Sequence, residues 1–382
     1  MALANDLADT SPRTAADKRV MTAEERFFAA SQWQLMWRKF RKHKVALASL
    51  VILVIFYLIA LTFEFWAPYG PYTDQGLVNA PPTTIHFFTD DGRFTGPFIY
   101  GIEQELDTET FKRVPVINKD EMYRLRFFVH AEEYRFWGVI KADLHFFGVE
   151  GDGRLLLLGT DDLGRDLFSR VLAGSRISLT IGVVGVFVSL IMGAIIGGIA
   201  GYYGSWADLV ISRIIEFIGS IPNLPLWMLM ASIIPLDWPI VRVYFMTTII
   251  ISLLTWVGLA RIVRSQLLQL RTQDFAKAAR LAGASDLRII VDHLIPGMLS
   301  YLIVSVTISI PQTILAETSL SFLGLGLRPP AVSWGVLLQA ARNVQNIVLR
   351  PWMLSPAIVV ILTIFVFNFV GDGLRDAADP YK

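Results

Sequence analysis

Hydrophobic residues in this chain come in long unbroken blocks, not in the alternating rhythm of a half-buried strand or the three-to-four rhythm of a surface helix. Six runs carry no charged side chain: Val45 to Phe63, Ile177 to Tyr203, Phe217 to Leu236, Val243 to Ala260, Leu294 to Ala316 and Pro351 to Gly371. About 18 apolar residues wound as a helix cross the roughly 30 Å hydrocarbon layer, where no water is present to satisfy an open backbone. The pattern predicts an all-α polytopic membrane protein with six transmembrane helices. Pro222 and Pro225 interrupt the third run, and the carbonyls they free need neighbours or water.

Between the first and second runs the pattern changes. Residues 64–158 are too polar to cross, and the alternation Tyr123-Arg124-Leu125-Arg126-Phe127 together with the run Arg154 to Leu158 predicts short strands, with turns at Asp91-Gly92 and Asp152-Gly153. The insertion is therefore expected to be β-rich. At the start of the chain, Met1 to about Thr22 is polar and Ala/Asp/Thr-rich, a composition that favours disorder. From Ala23 to His43, Phe27, Phe28, Trp33, Trp37 and Phe40 recur near helical spacing beside a basic face. That arrangement predicts an amphipathic helix lying along the membrane interface. The chain thus divides into a tail and interfacial helix (1–44), a first span (45–63), the insertion (64–158), a membrane core (159–371) and a short tail (372–382).

Charge sets the orientation. Arg38, Lys39, Arg41, Lys42 and Lys44 precede the first span, and short basic flanks stay in the cytoplasm. The first run is too long for a signal-peptide core and lacks a small-residue cleavage site, so it is expected to be an uncleaved anchor. Six crossings then return both termini to the cytoplasm and leave 64–158 outside. The segment 261–293, with Arg261, Arg264, Arg271, Lys277, Arg280 and Arg288, falls inside, in keeping with the rule.

Composition narrows the function. Of 382 residues 54% are hydrophobic and 18% charged, against about 25% charged in soluble domains, which excludes a soluble enzyme. Thirty-four basic against 33 acidic residues leave a net charge of +1, without the basic excess that nucleic-acid binding requires. There is no cysteine. No Gly-Lys dipeptide occurs, so no Walker A loop can cradle ATP phosphates. His86, His130 and His145 lack ligand spacing and read as core or exposed imidazoles. Gly193, Gly197 and Gly201 make overlapping Gly-x-x-x-Gly steps suited to close helix contact. Ionisable and polar residues at membrane depth are candidates for a translocation path: Glu216, Glu317, and the hydroxyls and amide around Pro311, including Ser309, Gln312 and Thr313. Structural capping is the competing reading for the two acids.

The segment between the fourth and fifth runs carries the most information. Asp274 can cap a short helix, Gly283 can end it in the left-handed conformation, and Ser285 or Asp286 can cap a second helix that stops before Pro296. Ala278, Ala279 and Ala282 keep one face thin enough for another protein to approach, with Arg280 and Arg288 on its flanks. An ordinary re-entry loop is the bland alternative.

Here the chain resembles the permease subunits of bacterial ATP-binding-cassette (ABC) importers of the dipeptide/oligopeptide type. That family's pattern is Glu-Ala-Ala, three residues, Gly, nine residues, Ile, one residue, Leu-Pro. The chain has Lys277-Ala278-Ala279, Gly283, and His293, Leu294, Ile295, Pro296, departing at Lys277 and His293. Three further segments are similar: Gly159 to Asp166 with Ser169-Arg170 and Gly174 to Leu179; Leu320 to Leu327 with Pro329-Pro330 and Ser333-Trp334-Gly335; and Gly371 to Asp376 with Asp379-Pro380. The resemblance covers Leu158 to Lys382 and the first span, and carries nothing onto the insertion. It implies the transmembrane domain of a type I ABC importer, in a bacterial inner membrane. This would be a non-catalytic subunit forming half of a path for peptides, paired with a homologous permease. It would receive substrate from an extracytoplasmic binding protein and dock two cytoplasmic ATPases, which use ATP and magnesium, through Lys277, Ala278, Ala279, Arg280, Gly283, Ala284, Ser285 and Asp286. No cofactor is expected on the chain itself. The same machinery could carry oligosaccharides or other solutes. A secondary transporter or receptor independent of an ATPase is the further alternative, although no intramembrane ion-binding cluster favours it.

Overall fold

The computed structural model describes residues 32–90, 92–106, 108 and 113–379. The expected disordered tail and Phe27 and Phe28 lie outside the described residues. Helix α1 (Gln32–Lys42) and α2 (Lys44–Leu61) are separated at His43, whose ring accepts from the Ala46 amide at 3.2 Å and caps α2. The short α3 (Phe63–Trp66) follows. A four-stranded antiparallel sheet comes next, β1 (His86–Phe88), β2 (Phe94–Leu106), β3 (Arg113–Phe136) and β4 (Ile140–Val149), in sequential order. The rest of the chain is helical: α4 (Leu167–Tyr203), α5 (Ser205–Ser220), α6 (Asn223–Ala231), α7 (Ile240–Leu270), α8 (Asp274–Leu281), α9 (Asp286–Arg288), α10 (Ile295–Phe322), α11 (Trp334–Leu337), α12 (Val344–Leu349) and α13 (Ser355–Ala378).

Five of these helices, or helix runs, are long and apolar enough to cross a membrane. The third apolar run behaves differently. Its residues divide between α5 and α6, which meet at an 86° bend. The break falls at Ile221-Pro222, because proline disfavours helical geometry in the residue before it and cannot donate to a preceding carbonyl. The third apolar run is therefore a bent pair and not one straight helix.

Helix α4 runs against α7 along its glycine face. A Cβ on Gly193 would stand 2.8 Å from the Leu259 Cβ, one on Gly201 2.8 Å from the Arg264 carbonyl, and one on Gly197 closer still to the Ala260 carbonyl. Only hydrogen fits there, so the backbones touch and gain dispersion contacts that lipid tails would otherwise supply. Leu53 and Ala60 of α2, Leu179 of α4, Ile314 of α10, Trp334, and Val360, Val366 and Phe367 of α13 form the bundle core. Helix α1 is amphipathic, but Met36 and Phe40 on its apolar side pack against Ala46, Val370 and Ala377. Lys39 donates to the Asp379 carbonyl at 2.8 Å, which fastens α1 to the end of α13.

Two local expectations are corrected. Arg154 to Leu158 is not a strand. Leu155 and Leu156 are fully buried, but the Leu156 amide donates to the Thr83 hydroxyl and its carbonyl accepts from the Thr83 and Gly159 amides, so no ladder forms. The second helix after Gly283 does not stop before Pro296. From α9 the chain passes through a wide turn at Ile289–Leu294, with the Ile295 amide bonded to the Ile290 carbonyl, and continues into α10. A proline ring clashes with the carbonyl four residues back, and the i→i+5 spacing of a π turn opens the room it needs.

Candidate functional site

The segment after α7 folds as a knob. Helix α8 starts after Gln273, which makes no side-chain capping bond; Asp274 lies in the first turn, 3.6 Å from Lys277. Its C-terminus is closed by Gly283 at φ +82, with the Gly283 amide on the Arg280 carbonyl (3.0 Å) and the Ala284 amide on the Ala279 carbonyl (3.1 Å). This is the Schellman pattern, and it favours glycine in the left-handed region, where a Cβ is penalised. Ser285 then caps α9 through its hydroxyl and the Arg288 amide.

The knob has a packed base and an unpartnered top. Ala276 and Ile289 are buried with Tyr202, Val263, Leu267, Leu294 and Met298. Tyr202, at the end of α4, holds both limbs: its hydroxyl donates to Asp286 at 2.6 Å and accepts from Arg280 at 3.0 Å, and the Arg280 guanidinium lies over its ring. Arg271 donates to the Tyr202 carbonyl at 2.8 Å. On the opposite side, Leu281 is 90% and Leu287 72% exposed, with Phe275, Lys277 and Ala278 beside them. Sequence reasoning missed Tyr202 and Arg271. A tyrosine closing an apolar span was the available signal, but nothing linear joins it to Asp286.

A second feature is a pair of adjoining cavities of about 640 and 490 Å³ between α7, α10 and α13, the second also reaching α5 and α6. They share Arg261, Ser305 and Arg375, and the second is also lined by Asn223, Ser309 and Gln312. Of the residues read as path candidates, Ser309 and Gln312 stand here. Ser309 donates to the Ser305 carbonyl at 2.8 Å, and the Thr313 hydroxyl donates in turn to the Ser309 carbonyl at 3.0 Å. Such back-bonding satisfies these donors within their own helix. Thr313 and Glu317 are fully buried inside the bundle, away from these cavities. Glu216 is exposed near the end of α5 and paired with Arg213 at 2.7 Å. Among the described residues no cluster of three or more His, Asp or Glu could hold a metal ion.

Glu317 instead centres a buried junction. It accepts from Ser321 and Ser333 at 2.8 Å and from Ser178 at 3.2 Å, while Ser178 accepts from the Trp334 amide and the Trp334 indole donates to the Val171 carbonyl. Just before α4, Asp161 accepts from the amides of Leu163 and Arg165 and pairs with the Arg165 and Arg170 guanidinium groups. Asp166 caps α4 through Ser169, and its burial pushes the carboxyl up to about 6 against those hydrogen bonds. Arg176 forks onto Glu64 (2.8 and 2.7 Å) and stacks on Phe63, tying the end of span one to span two.

These features can be set beside known proteins. The family described as binding-protein-dependent transport system inner membrane component matches residues 193–381, and the N-terminal transmembrane domain of oligopeptide transport permease C matches 31–82. The chain is 34% identical over 351 residues to the oligopeptide transport system permease protein OppC of Haemophilus influenzae, across 92% of this chain and 89% of that protein. It is 31% identical over 358 residues to the dipeptide transport system permease protein DppC of Bacillus subtilis, across 92% and 86%. Among solved structures, the MetNI methionine ABC transporter in its inward-facing conformation aligns with a TM-score of 0.43 at 19% identity, over 55% of this chain and 97% of that one.

Proposed function

The chain belongs to the binding-protein-dependent inner-membrane components, the non-catalytic permease subunits of ABC importers, in the branch of the oligopeptide and dipeptide permeases, and from that premise we propose that it forms half of a translocation path for peptides. A homologous permease completes the path, an extracytoplasmic binding protein delivers the substrate, and two ATPases drive the cycle with ATP and magnesium. The observation that carries this reading is the knob: Leu281 and Leu287 stand in solvent on a base that is buried and cross-tied. An apolar cap on a rigid seat is what a partner's groove requires, since the exposed leucines gain about 1.5–3 kcal/mol each when covered and the seat transmits the push.

The orientation follows the same logic. Helix α1 with its basic residues, the end of α13 and the Arg261–Arg375 cavity lie together, which favours one cytoplasmic side holding both termini and the knob. The sheet of residues 64–158 then lies outside. Under ATP-driven closure the ATPases press on α8, Arg280 and Asp286 pull on Tyr202, and α4 carries α7 with it through the glycine contact. Co-purification tests the reading. The double substitution Leu281→Asp, Leu287→Asp is expected to leave the chain in the membrane but to release the ATPase subunits. Full retention of both would overturn the assignment.

A further inference from the structure

The β3–β4 hairpin carries a feature that the permease role does not use. Phe136 lies opposite Ile140 and Arg135 opposite Lys141, leaving Trp137-Gly138-Val139 as the turn. Hairpin turns facing water favour Asn, Asp and Gly. Another hairpin tip of the same sheet, between β1 and β2, obeys that rule with Asp90 and Gly92. This one instead presents Trp137, Val139 and Ile140 at 67, 82 and 65% exposure. Trp137 even occupies a positive φ of 49, an unfavourable conformation for a bulky side chain.

The geometry shows what holds it there. The Trp137 indole donates to the Leu61 carbonyl at 2.8 Å. Leu61 ends α2, where the last carbonyls have no helical partner. The tip is thereby pinned level with the end of a membrane span. Leu61 also terminates an exposed apolar stripe, Val51, Val54, Leu58 and Leu61, on one side of α2. Phe127 and Phe128, also exposed, extend the apolar surface upward, with Phe128 against Phe65 just past α2.

We propose that the β3–β4 tip is a lipid anchor, with Trp137, Val139 and Ile140 seated in the phospholipid interface beside span one and Arg135 and Lys141 reaching the phosphates. Continuity with the lipid-facing stripe of α2 selects the bilayer as the occupant. A tryptophan with its N–H satisfied and its ring at the end of a span matches the interfacial preference of indole. The inference rests on α2 crossing the bilayer and not on which side the sheet lies or what the path carries. Pinning the sheet at this tip, as well as at its covalent links to the helices before and after it, would fix its tilt over the membrane.

Because the chain has no cysteine, single sites can be spin-labelled cleanly. The full chain carrying Val139→Cys, Ile140→Cys, Leu58→Cys or Gly92→Cys is labelled with a nitroxide in nanodiscs of phosphatidylethanolamine and phosphatidylglycerol. Collision with oxygen, which partitions into lipid, is compared with collision with a water-soluble nickel chelate. Sites 139 and 140 are expected to favour oxygen, as Leu58 does, while Gly92 favours nickel. Nickel access at 139 and 140 equal to that at Gly92 would overturn the proposal. So would low access to both reagents, which marks a protein partner in place of lipid. Unfolding would show as nickel access at Leu58, so it is distinguishable from a tip that merely stands in water.

Discussion

The Glu317 junction and the knob after α7 are built from equally recognisable sequence patterns, yet they use their side chains in opposite ways. At the junction, Asp161, Asp166, Ser169, Arg170, Ser178, Glu317, Ser321, Ser333 and Trp334 are all buried, and they bond to one another or to backbone. At the knob, Phe275, Lys277, Ala278, Leu281 and Leu287 are exposed and only the underside is packed. A buried polar network specifies one geometry, because any stranded donor or acceptor is costly in a low-dielectric interior. An exposed apolar cap contributes nothing to the isolated chain's fold and is explained by what covers it. A strong motif therefore marks constraint, and burial decides whether the constraint comes from the fold or from a partner.

The contrast is testable, starting with its most destabilising substitution. Glu317→Ala strands the hydroxyls of Ser178, Ser321 and Ser333, and since each unsatisfied buried group costs about 1–3 kcal/mol a large fall in thermal unfolding temperature of the detergent-purified chain is expected. Glu317→Gln, which keeps an acceptor oxygen, should lose less. An unchanged midpoint with transport abolished would place the junction among the working parts and erase the contrast.

Gly283→Val comes next. A Cβ there meets nothing within 4 Å, so the substitution isolates the cost of a branched side chain at φ +82, about 1–3 kcal/mol of local strain. Membrane abundance should stay normal while ATPase retention and uptake are lost, and Gly283→Asn should be milder because Asn tolerates the left-handed region. Import at the wild-type rate would remove the turn from the coupling element.

Leu281→Asp is expected to shift stability by no more than about 0.5 kcal/mol, as for surface sites generally, and still to weaken ATPase retention. A fall in unfolding temperature comparable to that of Glu317→Ala would show that the knob's cap is part of the fold. The last test reads topology and not energy: Gly92→Cys, at φ +75 in an open turn, carries only local backbone strain and should label with an impermeant thiol reagent in intact cells. Labelling only after lysis would put the sheet and the knob on the sides opposite to those proposed.

Several of these features were legible in the linear chain. The left-handed stop at Gly283 and the cap at Ser285 are local, set by dihedral preference and a single hydroxyl, and both stand where expected. The glycines of α4 faced another helix as their spacing implied. The Pro296 boundary differs from the expectation because a π turn at Ile289–Leu294 makes room for the ring and lets the helix continue, which no local residue pattern signals. Glu317 was assigned by depth alone to either a path or a cap. Its hydroxyl partners Ser178 and Ser333 lie far from it in sequence, so no local pattern could show that it is a hub.

What the sequence alone determined is what depends on composition and nearest neighbours: that the chain enters a membrane, where its apolar runs begin and end, and where a backbone must turn. These follow from transfer free energies and from allowed dihedrals, which act residue by residue. Only the tertiary structure decided which polar residues face one another and which face outward. A helix presents every side of itself to the sequence equally, and the bundle chooses which side to bury. So Thr313 and Glu317 went inside, Ser309 and Gln312 onto the cavity, and Tyr202 under the knob it holds.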